Sequence, residues 1–475
     1  MSIPFWVAGK PVTSAHTAVV RHPFDGGEAG SHYVPTAADV ERAVQAARDA
    51  RAETAALPAH VRAAALDHVA RTLTEREEQL AQLITAESGK PIKWARSEVA
   101  RGASTFRWAA EEARRFSGQL QRLDTDPGGT GRMALVRRVP KGPVLGITPF
   151  NFPLNLVAHK VAPAIAVGAP IVLKPAPATP LTALALGEIL AETALPAGSW
   201  SVLPTDNETA SRLVTDPRLP VVSFTGSGPV GWGIRDAVPR KHVALELGGN
   251  AAVLVCPDWT DLDLAAQRIA TFAMYQAGQS CISVQRVYVH SDLFDEVAEK
   301  VVAAVRALGT GDPRAAGTDV GPLINTGAAE RVASWVADAV TAGATLRTGG
   351  SREGATVAPT VLTDVPEDST VMAEEVFGPV LCLNRVDSVD EGLRRINASR
   401  YGLQTGVFTG ALSTAFDAAA RLDVGGVVIG DVPSFRADQM PYGGVKDSGV
   451  GREGPKSAMD DFTEERVTVL TGLPL

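Results

Sequence analysis

The chain has 475 residues, of which 45% are hydrophobic and 21% charged, and a formal net charge of −8. That length asks for two or three cores at about 150 residues each, and the composition is that of an ordinary folded chain, not a collagenous, disordered or disulfide-stapled one. An acidic balance without a block of Lys/Arg argues against a nucleic-acid partner, and three scattered cysteines, Cys256, Cys281 and Cys382, without Cys-x-x-Cys or His spacing, argue against a metal site and for a reducing compartment.

The N-terminal "MSIPFWVAGKP" lacks the basic start and apolar core of a signal peptide. The most apolar stretch, "VAPAIAVGAPIVL" at 161–173, is shorter than the ~18 residues that span a bilayer and is broken by Pro163, Gly168 and Pro170, so a cytoplasmic protein with no membrane partner is expected. After a short extended opening, Thr36 and Asp39 make a capping box ahead of Val40, Ala43, Val44 and Ala47, apolar at helical spacing. Residues 37–117 predict several helices and almost no strand, with breaks at Pro58 and at "SGKP", 88–91. From "GPVLGIT" at 142–148 onward, strands at "PIVLKP", "WSVL" and "VVSF" alternate with helical stretches. That alternation predicts parallel βαβ units in an open, doubly wound α/β sheet, whose ligands collect at the carboxyl ends of the strands. "VALELGGNAAVLV", 243–255, leads into a second α/β block, with a helix over 260–277, a strand at "QRVYVH", a helix over 291–307, alternation to about 432 and a strand-like tail.

"SFTGSGPVGWGI" holds a Gly-x-Gly-x-x-Gly at Gly226, Gly228 and Gly231, and Glu246 stands about 20 residues on, the layout of a dinucleotide fingerprint with its ribose carboxylate. The fingerprint belongs to the first strand of such a sheet, whereas this one follows the fourth, so Glu246 is better assigned to chemistry. By composition alone Cys281 is an inert buried thiol. Its setting in "YQAGQSCISVQR", after small polar residues and before a strand, suits a nucleophile, which needs exposure at an element end and donors that favour thiolate and hold an oxyanion. Cys256 and Cys382 lie inside apolar runs and are predicted to be core.

Seven segments, "GITPFNFPLNL", "VLKPAPATP", "SFTGSGPVG", "LELGGN", "GQSCISVQR", "EEVFGPV" and "PYGGVKDSGVGREG", stand in the order and at about the separations typical of the aldehyde dehydrogenase superfamily, and the resemblance covers about 37–475. It implies that Cys281 attacks the aldehyde, that hydride passes to nicotinamide from the thiohemiacetal, and that the thioester left behind is hydrolysed. It makes Asn151, with the Cys281 N–H, the oxyanion donor, although by itself Asn151 reads as a turn residue beside Pro153. Glu246 becomes the base that activates water, and its apolar neighbours should raise its pKa. For an NAD or NADP cofactor the resemblance points to Thr148, Phe150, Gly226 and Gly248, to Lys174 for the adenosine ribose, Ser227 near the pyrophosphate, Glu375 for the nicotinamide ribose and Phe377 beside the ring. Pro177 stands where NAD-preferring members often carry a Glu, so the coenzyme choice stays open.

Arg107 and Arg436 are the candidates for binding an anion on a short aldehyde, in keeping with a resemblance to the branch that handles lactaldehyde, succinic semialdehyde and phosphonoacetaldehyde. Each reads equally well as a solvated or intersubunit residue, and Ser280 replaces the Arg that some members binding phosphorylated or phosphonate substrates carry before the cysteine. Two other readings compete: a CoA-acylating member, against which Glu246 argues, and a non-catalytic protein on the same fold, against which Cys281 and Glu246 together argue. The resemblance further implies a cofactor domain over 1–117 and 139–247, a catalytic domain over 248–460, and segments 118–138 and 461–475 that pair across subunits of a homodimer or homotetramer.

Overall fold

The computed structural model describes residues 2–474; Met1 and Leu475, the ends of the expected 1–117 and 461–475 segments, lie outside the described residues. Five parallel strands, Val144–Ile147, Ile171–Lys174, Trp200–Val202, Val221–Thr225 and His242–Glu246, form the middle of the first sheet. Phe5–Val7 and Lys10–Val12 extend it antiparallel on one side and Gly449–Val450 on the other. The five stand in space as third, second, first, fourth and fifth in order of appearance, so Val144–Ile147 lies beside Val221–Thr225. Chain connections leave that pair in opposite directions, which opens a crevice at its carboxyl end. "VLGI", "IVLK" and "VVSFT" are buried along their whole length, as strands covered on both faces must be. The fold is thus α/β, with a Rossmann-like doubly wound sheet.

The second sheet has seven strands in the order Thr345–Thr348, Thr360–Thr363, Val380–Val386, Arg286–His290, Ala252–Val255, Gln404–Phe408 and Gly426–Ile429. Only the first of these edge strands runs antiparallel. Separate cores serve the two sheets, around Leu66, Phe106, Leu145 and Phe224 in one and Val253, Tyr288, Leu381 and Phe408 in the other. The chain crosses between them once within Glu246–Ala252. It returns late, because Gly449–Val450 pairs with His242–Glu246 and Met459 and Phe462 enter the first core.

Between Thr36 and Phe116 lie five helices and no strand: Ala37–Asp49, Arg51–Ala56, Ala59–Glu75, Glu77–Ser88 and Ile92–Arg115. The Thr36/Asp39 capping box forms, with the Thr36 N–H donating to the Asp39 carboxylate at 2.9 Å. At the "SGKP" break Gly89 ends its helix in a left-handed conformation (φ 70°), and an added Cβ there would lie 2.8 Å from Pro322. The tail strand Thr463–Thr471 pairs antiparallel with Arg132–Pro140, which pairs with Gln119–Arg122. Segments 118–138 and 461–475 therefore meet within one chain through these strands, and among the described residues the tail strand stands at the edge of the three-stranded sheet. Among the described residues no helix is long and apolar enough to cross a membrane.

Helix Asn155–Val167, which follows the loop after Val144–Ile147, has no N-cap of its own. Its first N–H groups are taken instead by Glu98, whose Oε1 accepts from Leu154 and Asn155 at 2.9 and 3.1 Å. The other Glu98 oxygen holds the Lys90 ammonium, and both side chains are fully buried, with Lys90 Nζ 4.0 Å over the Phe152 ring. Removing one member of such a pair leaves a bare buried charge. Glu98→Ala is accordingly expected to destabilise by about 3–5 kcal/mol in urea unfolding. The double substitution Lys90→Met/Glu98→Met should recover most of that loss but not the capping part; a double variant no more stable than Glu98→Ala would contradict this account.

Candidate active site

Two clefts open at the carboxyl ends of Val144–Ile147 and Val221–Thr225. One, of about 280 Å3, is lined by Phe150, Asn151, Gly226, Ser227, Glu246, Gly248, Cys281, Arg331, Glu375 and Phe377. The other, of about 470 Å3, is lined by Lys174, Asn207, Ser211, Phe224, Val230 and Ile234 among others, with no carboxylate among the described residues that line it. The structure therefore brings together most of the residues that the sequence singles out.

Cys281 is placed by an unusual backbone. Helix Leu262–Met274 stops, and Gln276, Ala277 and Gly278 all take left-handed φ, of 52°, 54° and 71°. Consecutive left-handed residues are costly and persist only where the surroundings hold them. Here buried amides do so: Gln276 Nε2 donates to the Asn151 carbonyl, Gln279 Nε2 donates to the Gln276 carbonyl at 3.2 Å, and Gln279 Oε1 accepts from the Ile324 N–H at 2.9 Å. At Gly278 a Cβ would lie 2.0 Å from the Gly378 carbonyl, so only glycine fits. Asn151 is clamped to the same loop, its Nδ2 donating to the Gln279 carbonyl at 2.9 Å.

The Cys281 sulfur lies 2.8 Å from the Tyr442 hydroxyl, and the Arg436 guanidinium sits 3.9 Å from the centroid of the Tyr442 ring. Burial pushes the thiol up to about 12, while the Tyr442 hydrogen bond and the Arg436 charge pull it down by less. Donors that favour thiolate are present, as the sequence requires, yet desolvation outweighs them and the resting group is a neutral thiol.

Glu246 ends strand His242–Glu246, in register beside Thr225. Burial and then the nearby Glu453 carboxylate raise its carboxyl well above the usual range, and its Oε2 has no hydrogen-bond partner among the described residues. Glu453 behaves oppositely: burial opposes its ionisation, but Arg436 and Lys160 hold it at about 2. It accepts from Arg436 at 3.0 Å, and Lys160, 3.6 Å away, donates to Ser223 and Thr225 at 3.1 and 2.7 Å. Past Glu246 come two glycines with no spare room. A Cβ on Gly248 would lie 2.4 Å from Glu375 Oε2, and one on Gly249 2.4 Å from the Cys281 carbonyl. Glu375 accepts from the Gly249 N–H at 3.0 Å, and burial lifts it to about 7. Phe377, left-handed at φ 49°, meets Phe150 edge to face at 5.9 Å.

Thr148 directly follows its strand, with its hydroxyl buried and unpartnered among the described residues. Lys174 stands in the second cleft, its Nζ 3.4 Å from Asn207 Oδ1, and burial brings it down to about 8. Arg107 is exposed, lines a different cleft with Asp67, Arg71 and Glu75, and stacks on Trp108. Arg101, about 1.7 turns earlier on the same helix, faces the site instead and donates to Asp438 at 3.0 Å. Asp438 also meets His159 at 3.3 Å, and His159 lies 3.0 Å from Arg436. Sequence reading passed over Arg101, His159, Lys160, Arg331, Asp438, Tyr442 and Glu453. For His159 and Lys160 a signal exists: two ionisable residues inside the otherwise apolar helix "LVAHKVAPAIAV", which is buried on every face.

Residues 9–468 match the aldehyde dehydrogenase family. Among curated relatives, a 3-sulfolactaldehyde dehydrogenase of Priestia aryabhattai is 42% identical over 98% of this chain and 97% of its own. Among solved structures, aldehyde dehydrogenase 21 from Physcomitrella patens, in complex with the reaction product succinate, superposes with a TM-score of 0.97 at 45% identity, covering 100% of this chain and 99% of that one. An NADP-dependent glyceraldehyde-3-phosphate dehydrogenase from Bacillus halodurans C-125, complexed with NADP, follows at 0.95 and 35%, covering 99% of each chain.

The Tyr442 hydroxyl is the hydrogen-bonding group at the Cys281 sulfur, so Tyr442→Phe should slow alkylation of Cys281 by iodoacetamide at fixed alkaline pH by about tenfold or more, since a hydrogen bond to a charged group contributes about 1.5–3 kcal/mol. An unchanged alkylation rate would show that the hydroxyl does nothing for the thiolate.

Proposed function

The chain belongs to the aldehyde dehydrogenase family, and from that premise we propose that Cys281 is its nucleophile, Asn151 with the Cys281 N–H its oxyanion donor, and Glu246 the base that activates the hydrolytic water. The enzyme is an NAD(P)-dependent aldehyde dehydrogenase. The residues at the crevice suit that cofactor: the Thr148 hydroxyl, buried without a partner among the described residues, the Lys174 ammonium in a cleft with no carboxylate among the described residues that line it, and Gly226 and Gly248, where a Cβ would run into Phe224 and Glu375. Lys174 would hold the adenosine ribose, Thr148, Phe150, Gly226 and Ser227 the region of the pyrophosphate, Glu375 and Gly248 the nicotinamide ribose, and Phe377 the ring. When bound, the nicotinamide supplies the hydride acceptor. On this reading 1–117 and 139–247 form the cofactor unit and 248–460 the catalytic unit.

The chain's own groups account for the proton steps. Cys281 passes its proton to water as sulfur bonds to the aldehyde carbon, and the carbonyl oxygen becomes an oxyanion received by the Asn151 amide and the Cys281 N–H. Once oxidation leaves a thioester, Glu246 removes a proton from water as its oxygen attacks the thioester carbon; the acid departs and the sulfur regains a proton. A base whose pKa burial has raised well above the ordinary carboxyl range suits that step, and water in this role favours free acid over a CoA ester as product. Because Glu246 must be ionised and its pKa is raised, hydrolysis should accelerate as pH climbs through that value. A kcat that does not rise with pH, with hydrolysis shown to limit turnover, would contradict this role.

For the substrate we assign a short aldehyde with a terminal anion. The observation that carries it is a pair of buried guanidinium donors, Arg436 over the Tyr442 ring and Arg101 on Asp438: Arg436 Nε and Arg101 Nε both lack partners among the described residues. Buried donors ordinarily find acceptors, and a carboxylate or sulfonate would supply them. The relatives named for sulfolactaldehyde and complexed with succinate support the same class. We further propose a homodimer or homotetramer, on the exposed Leu120, Val467 and Val469 of the three-stranded sheet and the free edge at Gly426–Ile429.

Succinic semialdehyde should exceed butanal in kcat/KM by about 30-fold or more, the worth of a charge-assisted hydrogen bond in a buried site, and Cys281→Ala should abolish NAD(P)H formation with both. A preference for butanal would reject the anion, and turnover in Cys281→Ala would reject the nucleophile.

A further inference from the structure

Another cleft, of about 620 Å3, lies apart from those at the strand ends and shares no lining residue with them. Helices Ala37–Asp49, Arg51–Ala56 and Ala59–Glu75 wall it on one side and the three-stranded sheet on the other. Six arginines, Arg48, Arg51, Arg62, Arg137, Arg138 and Arg466, line it against a single carboxylate, Asp49, in a chain whose net charge is −8. Concentrating cations in an acidic protein runs against the average field of the molecule and calls for a counter-charge.

Among the described residues little of that counter-charge is supplied. Among the described residues only Arg138 of the six pairs with carboxylates, Asp460 and Glu465, at 3.6 and 3.7 Å. Asp49 accepts from Gln45 at 2.8 Å. Arg62 Nη1 donates to the Ala166 carbonyl at 2.8 Å, at the end of helix Asn155–Val167, while its Nε is buried without a partner among the described residues. A second, independent feature lies in the sheet: Arg137 and Arg466 stand directly opposite each other across the antiparallel pair. Like charges at that position repel and weaken the pairing, so the arrangement costs stability unless an anion lies between them. Phe116, Val139 and Pro140 give the same cleft an apolar wall.

We propose that this cleft is a second ligand site, which binds a small polyanion carrying two or more phosphoryl groups. Guanidinium forks match phosphoryl oxygens two at a time, and the volume falls in the range of small-molecule sites. Arg137 and Arg466 grip the anion from the sheet, and Arg48, Arg51 and Arg62 close on it from the helices. The apolar wall takes the organic part of the ligand where there is one.

The test is calorimetric titration of the full-length enzyme, with its cofactor cleft saturated by NADP+, using inorganic tripolyphosphate in one arm and ADP in the other. Binding at one site per chain that weakens as salt is added is expected. Tighter binding of ADP assigns a nucleotide-like ligand, and equal binding a bare polyphosphate. Arg137→Thr/Arg466→Thr should weaken binding by about tenfold or more while leaving NADP+ affinity unchanged. Without anion this variant should melt at or above the wild-type temperature, because the cross-strand repulsion is gone, and it should lose the rise in melting temperature that tripolyphosphate gives the wild type. The proposal is overturned if neither probe binds, if the variant binds as the wild type does, or if the variant falls into smaller assemblies, since the arginines would then face carboxylates of a second copy.

Discussion

Between Glu246 and Asn250 the backbone leaves one sheet for the other through a passage with no space for a methyl group at either glycine. Glu375 presses on Gly248 from one side and the Cys281 carbonyl on Gly249 from another. The same few residues are tied on both flanks: Gly249 donates to Glu375, Asn250 Nδ2 donates to the Met372 carbonyl at 2.6 Å, and the Asn250 carbonyl accepts from Arg286 at 2.9 Å. A close-packed crossing of this kind transmits position. It sets the carboxylate that ends the first sheet, the cysteine loop and the Glu375 side chain in one frame, although they come from places far apart in sequence.

That frame keeps several ionisable groups away from water, and their mutual influence separates their behaviour. Glu246 and Glu453 are both buried carboxyls, yet Arg436 and Lys160 stand against Glu453 and hold it ionised, while Glu246 carries the penalty of burial and of its anionic neighbour. Two titratable groups driven apart by their surroundings are the usual physical basis for dividing acid and base work between them. The thiol follows the same logic, being kept neutral until a reaction partner makes ionisation worthwhile.

Much of this was legible in the residues. Short β-branched runs between helical stretches foretold the parallel sheet, because strands covered on both faces have no polar side to show. The glycine fingerprint misled only as a template: Val221–Thr225 is the fourth of its five parallel strands to appear, and Gly231 is small because Leu247 and Phe224 pack against it, whereas Gly228 faces open space. Other features leave no local trace. The amides of Gln276 and Gln279 look like surface polarity until the left-handed turn they stabilise is seen, and Glu98 caps a helix more than fifty positions away. Arg107 and Arg101 share a helix, and which of them faces inward depends on how the helix is rotated, which a pattern of charges alone does not specify.

The proposed role of Glu246 is to complete turnover by bringing water to a thioester on Cys281. Intact-protein mass spectrometry on the Glu246→Gln variant, quenched after mixing with aldehyde and NADP+ or NAD+, tests it. One acyl group per chain, located on Cys281 and persisting after a single equivalent of reduced cofactor has formed, is the predicted result. A variant that carries no acyl group and turns over at the wild-type rate would contradict it.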